Sequence, residues 1–175
     1  MKTVIGLLPK SPFPEGRIGP ERMQDWFGQC VLAIKLAEAL DEETEIITSS
    51  EFQTDEGVSD ETQYEKIIKY RFNENLGILS QGRESVGHIT AMSEYAKKQQ
   101  AKFILVVTWV HYPRMLWVAF REHVDVDLRI AFGIPRPKEM VTDVILTFLY
   151  PVLDLMGLKQ KFLERVGARR VTGKL

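Results

Sequence analysis

Short runs that stay largely apolar, rather than alternating with polar residues, are spaced along this chain by stretches of helical periodicity, and that constrains its fold more than any single motif. "TVIGLL" (3 to 8), "TEIITSS" (44 to 50), "LGIL" (76 to 79), "KFILVVT" (102 to 108) and "DLRIAF" (127 to 132) are the runs. A strand with one face in water alternates in polarity, whereas a strand covered on both faces does not. Covered strands separated by helices predict a mostly parallel sheet with helices on both faces, a doubly wound, Rossmann-like α/β fold.

The segments between the runs fit that plan. Residues 9 to 20, "PKSPFPEGRIGP", read as a proline-rich loop, and Pro20 opens a helix. In that helix Met23, Phe27, Cys30, Ile34 and Ala37 recur at spacings of three and four and form one apolar face. An acidic loop follows the second run, then a helix that Ser59 would cap, with Asp60 and Glu61 suiting the positive end of its dipole. Further helices are predicted near 85 to 99 and 113 to 121, and one or two more over 138 to 175, a helical extension of a single domain. At 175 residues and 45% hydrophobic content, one core is the expectation.

Charge excludes some partners. A formal net charge of −1 gives no general attraction to nucleic acid or to an anionic surface. The charge is nevertheless segregated: 38 to 65 contains no Lys or Arg, and in 159 to 174 only Glu164 opposes the basic residues. Two solvated patches or head-to-tail self-association both fit. Cys30 is the only cysteine, so an internal disulfide and a Cys-based metal site are excluded, and its apolar helical position suits inert packing. The first eight residues are too short an apolar run for a signal peptide, so a cytoplasmic chain is expected. "VILTFLYPVL" (144 to 153) lies between Asp143 and Asp154, contains Pro151, and falls short of the ~20 residues that span a bilayer. It reads as a buried or partner-facing helix, with a homodimer among the partners it would suit.

Three segments fall at the carboxyl edge of such a sheet, where ligands of doubly wound folds bind. Ser49, Ser50 and Glu51 end the second strand, where hydroxyls would bond a ligand oxygen or simply form a turn. "GRESVGH" (82 to 88) follows the third strand and brings Arg83, Glu84, Ser85 and His88; Ser85 and His88 share a direction if a helix has begun, and Ser85 would equally serve as its cap. "VVTWVHYPR" (106 to 114) ends the fourth strand at Thr108, turns at Trp109 and Val110, and starts a helix with Pro113 in its first turn. Unpaired amides there, with His111 and Arg114, suit a phosphate or carboxylate. The alternative is that Arg114 pairs with an acid and His111 caps the helix. Trp109, Tyr112 and Trp117 would stack a base or pack the helix on the sheet. His88, His111 and His123 lie on different elements, which argues against a metal site, and no Gly-x-Ser-x-Gly elbow is present for a serine hydrolase.

In order along the chain, "GPERM" (19 to 23), "ITSSE" (47 to 51), "ESVGH" (84 to 88) and "VVTWVHYPR" resemble the motifs of the bacterial family that includes SanA, ElyC and YdcF. The likeness covers roughly residues 3 to 135. It departs from the family pattern at Ser50-Glu51, where two glycines are usual, and at Ser85 and His88, where threonine and asparagine are usual. Relative to that pattern the interval from Thr108 to His111 is one residue shorter. The resemblance implies a Rossmann-like fold and a ligand at the sheet edge, with S-adenosylmethionine proposed for members without a membrane anchor. On this reading Arg22 and Arg114 would be charge partners of a small anionic or nucleotide-like metabolite. Ser49, Ser50, Glu84, Ser85 and Thr108 would be its polar contacts. His111, and secondarily His88, would be acid or base if a reaction occurs. Competing expectations are a hydrolase or transferase of phosphate-containing substrates using His111, and a non-catalytic interaction protein using the 140 to 158 helix.

Overall fold

A computed structural model describes residues 2–8, 20–49, 68, 69, 74, 76–79, 85–133 and 137–171, the side chains of 20–26, 78, 138, 139 and 166–171 excepted. Strand β1 (Thr3–Leu7) leads to helix α1 (Pro20–Ala39) and β2 (Thr44–Ser49), and β3 is Leu76–Leu79. Then follow α2 (Ser85–Lys98), β4 (Lys102–Thr108), α3 (Tyr112–Arg121), β5 (Asp127–Ala131), α4 (Pro137–Leu155) and α5 (Lys159–Val171). The predicted proline-rich loop and the Ser59-capped helix lie outside the described residues, apart from a helical pair at Ile68 and Lys69.

The five strands form one sheet in the order β3-β2-β1-β4-β5, and every neighbouring pair is parallel. The predicted doubly wound α/β fold is therefore the fold observed. Strand β4 shows why its sequence reads as one apolar run. Ile104 and Val106 pack on one face against Cys30, Ala33 and Ile34 of α1. Phe103, Leu105 and Val107 pack on the other against Ile89 and Met92 of α2 and Met115 and Val118 of α3. With both faces covered, each residue of the strand gains from leaving water, at about 1.5–3 kcal/mol for a large aliphatic side chain. Gly6 in β1 is required by close approach: a Cβ there would stand 2.9 Å from Met92 Sδ and 3.0 Å from Phe103 Cε2.

Helix α1 departs from its expected face at one position. Cys30 and Ile34 are buried, but Phe27 is 44% exposed. It lines an open groove of about 500 Å³ with Val31, Leu32, Ile130 and Phe132, beside the edge strand β5, where no further strand is described to cover it. Cys30 itself is fully buried, and burial pushes its thiol up to about 12. At about pH 8 the native protein should leave a thiol reagent unreacted over minutes in which the denatured chain titrates fully. Rapid native labelling would show that α1 does not pack on the sheet as described.

Helices α4 and α5 form an outer tier on α3. Asp154 of α4 accepts from Trp117 Nε1 at 2.7 Å and lies 3.2 Å from Lys159 Nζ. Glu122 also holds Lys159. Burial works against the Lys159 charge, but these two carboxylates outweigh it and hold the ammonium above the ordinary lysine range. Among the described residues, no helix is long and apolar enough to cross a membrane.

Candidate functional site

Strand β4 ends at Thr108 and the chain reverses through Trp109 and Val110, closed by the His111 amide donating to the Thr108 carbonyl at 3.0 Å. Pro113 falls in the first turn of α3, where a missing amide hydrogen costs nothing. His111 occupies the cap position with helical backbone angles, φ −81° and ψ −18°, and its side chain makes no capping bond. The ring is used elsewhere. Its Nδ1 lies 2.5 Å from Thr108 Oγ1, and its Nε2 lies 3.0 Å from Asp143 Oδ2 on α4.

The partners set the tautomer of a neutral ring. A carboxylate only accepts, so Nε2 carries the hydrogen and Nδ1 accepts from the Thr108 hydroxyl. The second oxygen of Asp143 receives Arg114 Nη1 at 2.8 Å, with both side chains under a tenth exposed. The Arg114 guanidinium also stands over the Tyr150 ring, 5.9 Å from its centroid. Thr108, His111, Asp143 and Arg114 are thus one hydrogen-bonded chain at the carboxyl edge of the sheet. Chemically, Nδ1 could take a proton, and Asp143 would stabilise the imidazolium that results.

The predicted residues are distributed as follows. Thr108, His111 and Arg114 come together, but the acid that Arg114 meets supplies its balancing charge, so the pairing alternative holds for Arg114; His111 does stand at the cap position, but its ring bonds Thr108 and Asp143 and not the helix amides. Ser49 ends β2, fully buried, and Ser85 begins α2, half-buried, both at the edge that Thr108 shares because all the strands run the same way. His88 is buried in the early part of α2. Arg22 lies in the first turn of α1 with its side chain outside the described residues, as Ser50 and Glu84 are entirely. Trp109 donates from Nε1 to the Gly133 carbonyl at 3.0 Å, tying the turn after β4 to the segment after β5. Tyr112 and Trp117 pack against the core.

Asp143 and Tyr150 are the residues that sequence reasoning missed. Asp143 reads as the boundary of an apolar run, yet it is 4% exposed and central to the network. A signal was present: 143, 147, 150 and 154 share one helical face and carry Asp, Thr, Tyr and Asp within an otherwise apolar stretch. Two other crevices among the described residues do not include the network. One is the groove beside β5, and the other, about 310 Å³, lies at the amino edge near Lys102 and Asp127. Among the described residues no cluster of three or more His, Cys, Asp or Glu could hold a metal ion.

No protein-family model, no curated protein and no solved structure matches the chain.

Proposed function

We propose that this chain is a divergent member of the SanA/ElyC/YdcF type and binds a small anionic or nucleotide-like metabolite at the carboxyl edge of its sheet, with S-adenosylmethionine the first candidate. The strand order supports this most directly. From β1 the chain passes toward β2, and from β4 it passes toward β5 in the opposite direction. Connections that leave adjacent strands in opposite directions part above them and open a crevice, the position where sheets of this class take ligands. Hydroxyls of Ser49, Ser85 and Thr108 belong to that edge. Because Asp143 balances Arg114, the ligand's anionic group would be met by these hydroxyls and by the first-turn amides of α3.

Thermal unfolding with S-adenosylmethionine, nucleotides, sugar phosphates and lipid-linked phosphates tests the reading. A ligand at about 100 times its Kd adds about 2.7 kcal/mol, or about 5–10 °C for a chain of this size. Thr108→Val keeps the side chain's shape and should lose most of that rise. If no class shifts the wild type by more than about a degree, or the variant responds equally, the proposal fails.

A second reading, a hydrolase or transferase of phosphate-containing substrates, draws on the Thr108–His111–Asp143 chain alone. It requires turnover that His111→Gln abolishes while binding persists. Turnover retained by His111→Gln, or none in the parent on phosphomonoesters and phosphodiesters, would remove it.

A further inference from the structure

Helix α4 is amphipathic with its polar face turned inward. Its two acids between 141 and 155 face inward, Asp143 buried and the Asp154 side chain 6% exposed, and are held by His111, Arg114, Trp117 and Lys159. The opposite face carries Val141, Val144, Ile145, Phe148, Val152 and Leu155, all exposed, Phe148 at 72% and Leu155 at 85%. Rolling the helix to bury this stripe would break both acid networks, so the fold itself specifies that the stripe faces out.

We propose that the stripe is the interface of a twofold homodimer in which α4 packs antiparallel on its copy. Three features select a second copy. First, the stripe exposes on the order of 700 Å², above the ~300–600 Å² of a typical monomer's largest apolar patch and near the ~800 Å² that each partner contributes to a standard interface. Second, apart from Ile145, which mirrors Pro151, it is symmetric about Phe148: Val144 and Val152 lie four residues to either side, and Val141 and Leu155 seven. An antiparallel twofold pair brings Val144 onto Val152, Val141 onto Leu155 and Phe148 onto itself, the self-complementarity that such contacts require. Third, no charge interrupts the stripe, so like charges are not brought together across the axis. An in-plane membrane helix would instead carry Lys and Arg along its own polar face; α4 has none from 141 to 155, and the basic residues lie beyond that stretch, at Lys138 and from Lys159 on.

The inference is independent of the ligand reading. Sedimentation velocity of the full chain from about 1 to 100 μM should show a dimer, and Phe148→Glu should weaken it ~100-fold or more, since the change counts once in each subunit. Phe148 is exposed, so the variant's circular dichroism and melting should stay close to wild type after allowance for the lost association. A Val144→Cys/Val152→Cys chain gives the second test. These positions are ~12 Å apart on one helix, beyond disulfide reach, so oxidation should yield a covalent dimer. Glu38→Cys, exposed on α1 across the sheet, should not. A monomer throughout the range, a dimer that survives Phe148→Glu, or a monomer that floats with phosphatidylglycerol vesicles through Phe148 would overturn the proposal.

Discussion

Replacing Asp143 by alanine should destabilise the chain by about 3–5 kcal/mol, read from the midpoint of urea unfolding. Its two oxygens receive His111 and Arg114, and Arg114 is 6% exposed. Without the carboxylate a guanidinium remains in the interior with no opposing charge among the described residues. Arg114 Nε already has no hydrogen-bond partner among the described residues, so little local compensation is at hand. Arg114→Met should cost less, because Asp143 keeps its bond from His111. The double variant Asp143→Ala/Arg114→Met should recover a large part of the loss, since removing both charges leaves neither stranded. Asp127 supplies the internal contrast. It meets Arg129 at 2.7 Å, but that arginine is half-exposed, and Asp127→Ala should change stability by less than about 1 kcal/mol. Distance is the same within 0.1 Å in the two pairs, and burial decides the cost. An Asp143→Ala loss as small as that of Asp127→Ala would mean that the buried network does not form.

What could be read in the sequence follows from how local each feature is. Strand β4 announces itself because both faces of the sheet cover it, which removes polar positions from a contiguous segment. Thr108, His111 and Arg114 could be placed together because one turn and the start of one helix bring them within seven residues. The remainder of the network was not legible in the same way. Asp143 arrives from a helix two elements later, and its partners are set by how α4 lies on α3, a tertiary fact. Apolar periodicity locates the helix but not which way its stripe faces: in α4 Asp143 and Asp154 are engaged on the inner face, and the stripe is exposed. Phe27 of α1 follows the same logic in reverse. Its spacing fits the buried face, but it reaches past the edge of the sheet, where β5 has no further neighbour among the described strands. Strand order, too, depends on where each crossover lands, and the apolar runs carry no record of that.

Tyr150→Ala should cost about 3–5 kcal/mol, comparable to the Asp143 change but by a different route. Tyr150 is 5% exposed and belongs to the cluster that covers the α2 and α3 face of the sheet. Its ring lies under the Arg114 guanidinium and meets Phe162 of α5 edge-on, with centroids 6.2 Å apart and planes at 82°. One side chain therefore joins three helices. Truncation leaves a cavity between them and removes the apolar contact that keeps Leu163 and Phe162 against the core. Tyr150→Phe retains the ring and should cost under about 1.5 kcal/mol, the scale of one net hydrogen bond. The comparison separates packing from the hydroxyl. Because Asp143 sits on the same helical face as Tyr150, loosening α4 should also loosen the carboxylate from His111, and hydrogen exchange at the start of α3 should quicken in Tyr150→Ala but not in Tyr150→Phe. If both variants cost about the same, below about 1.5 kcal/mol, the outer tier is not held by this ring.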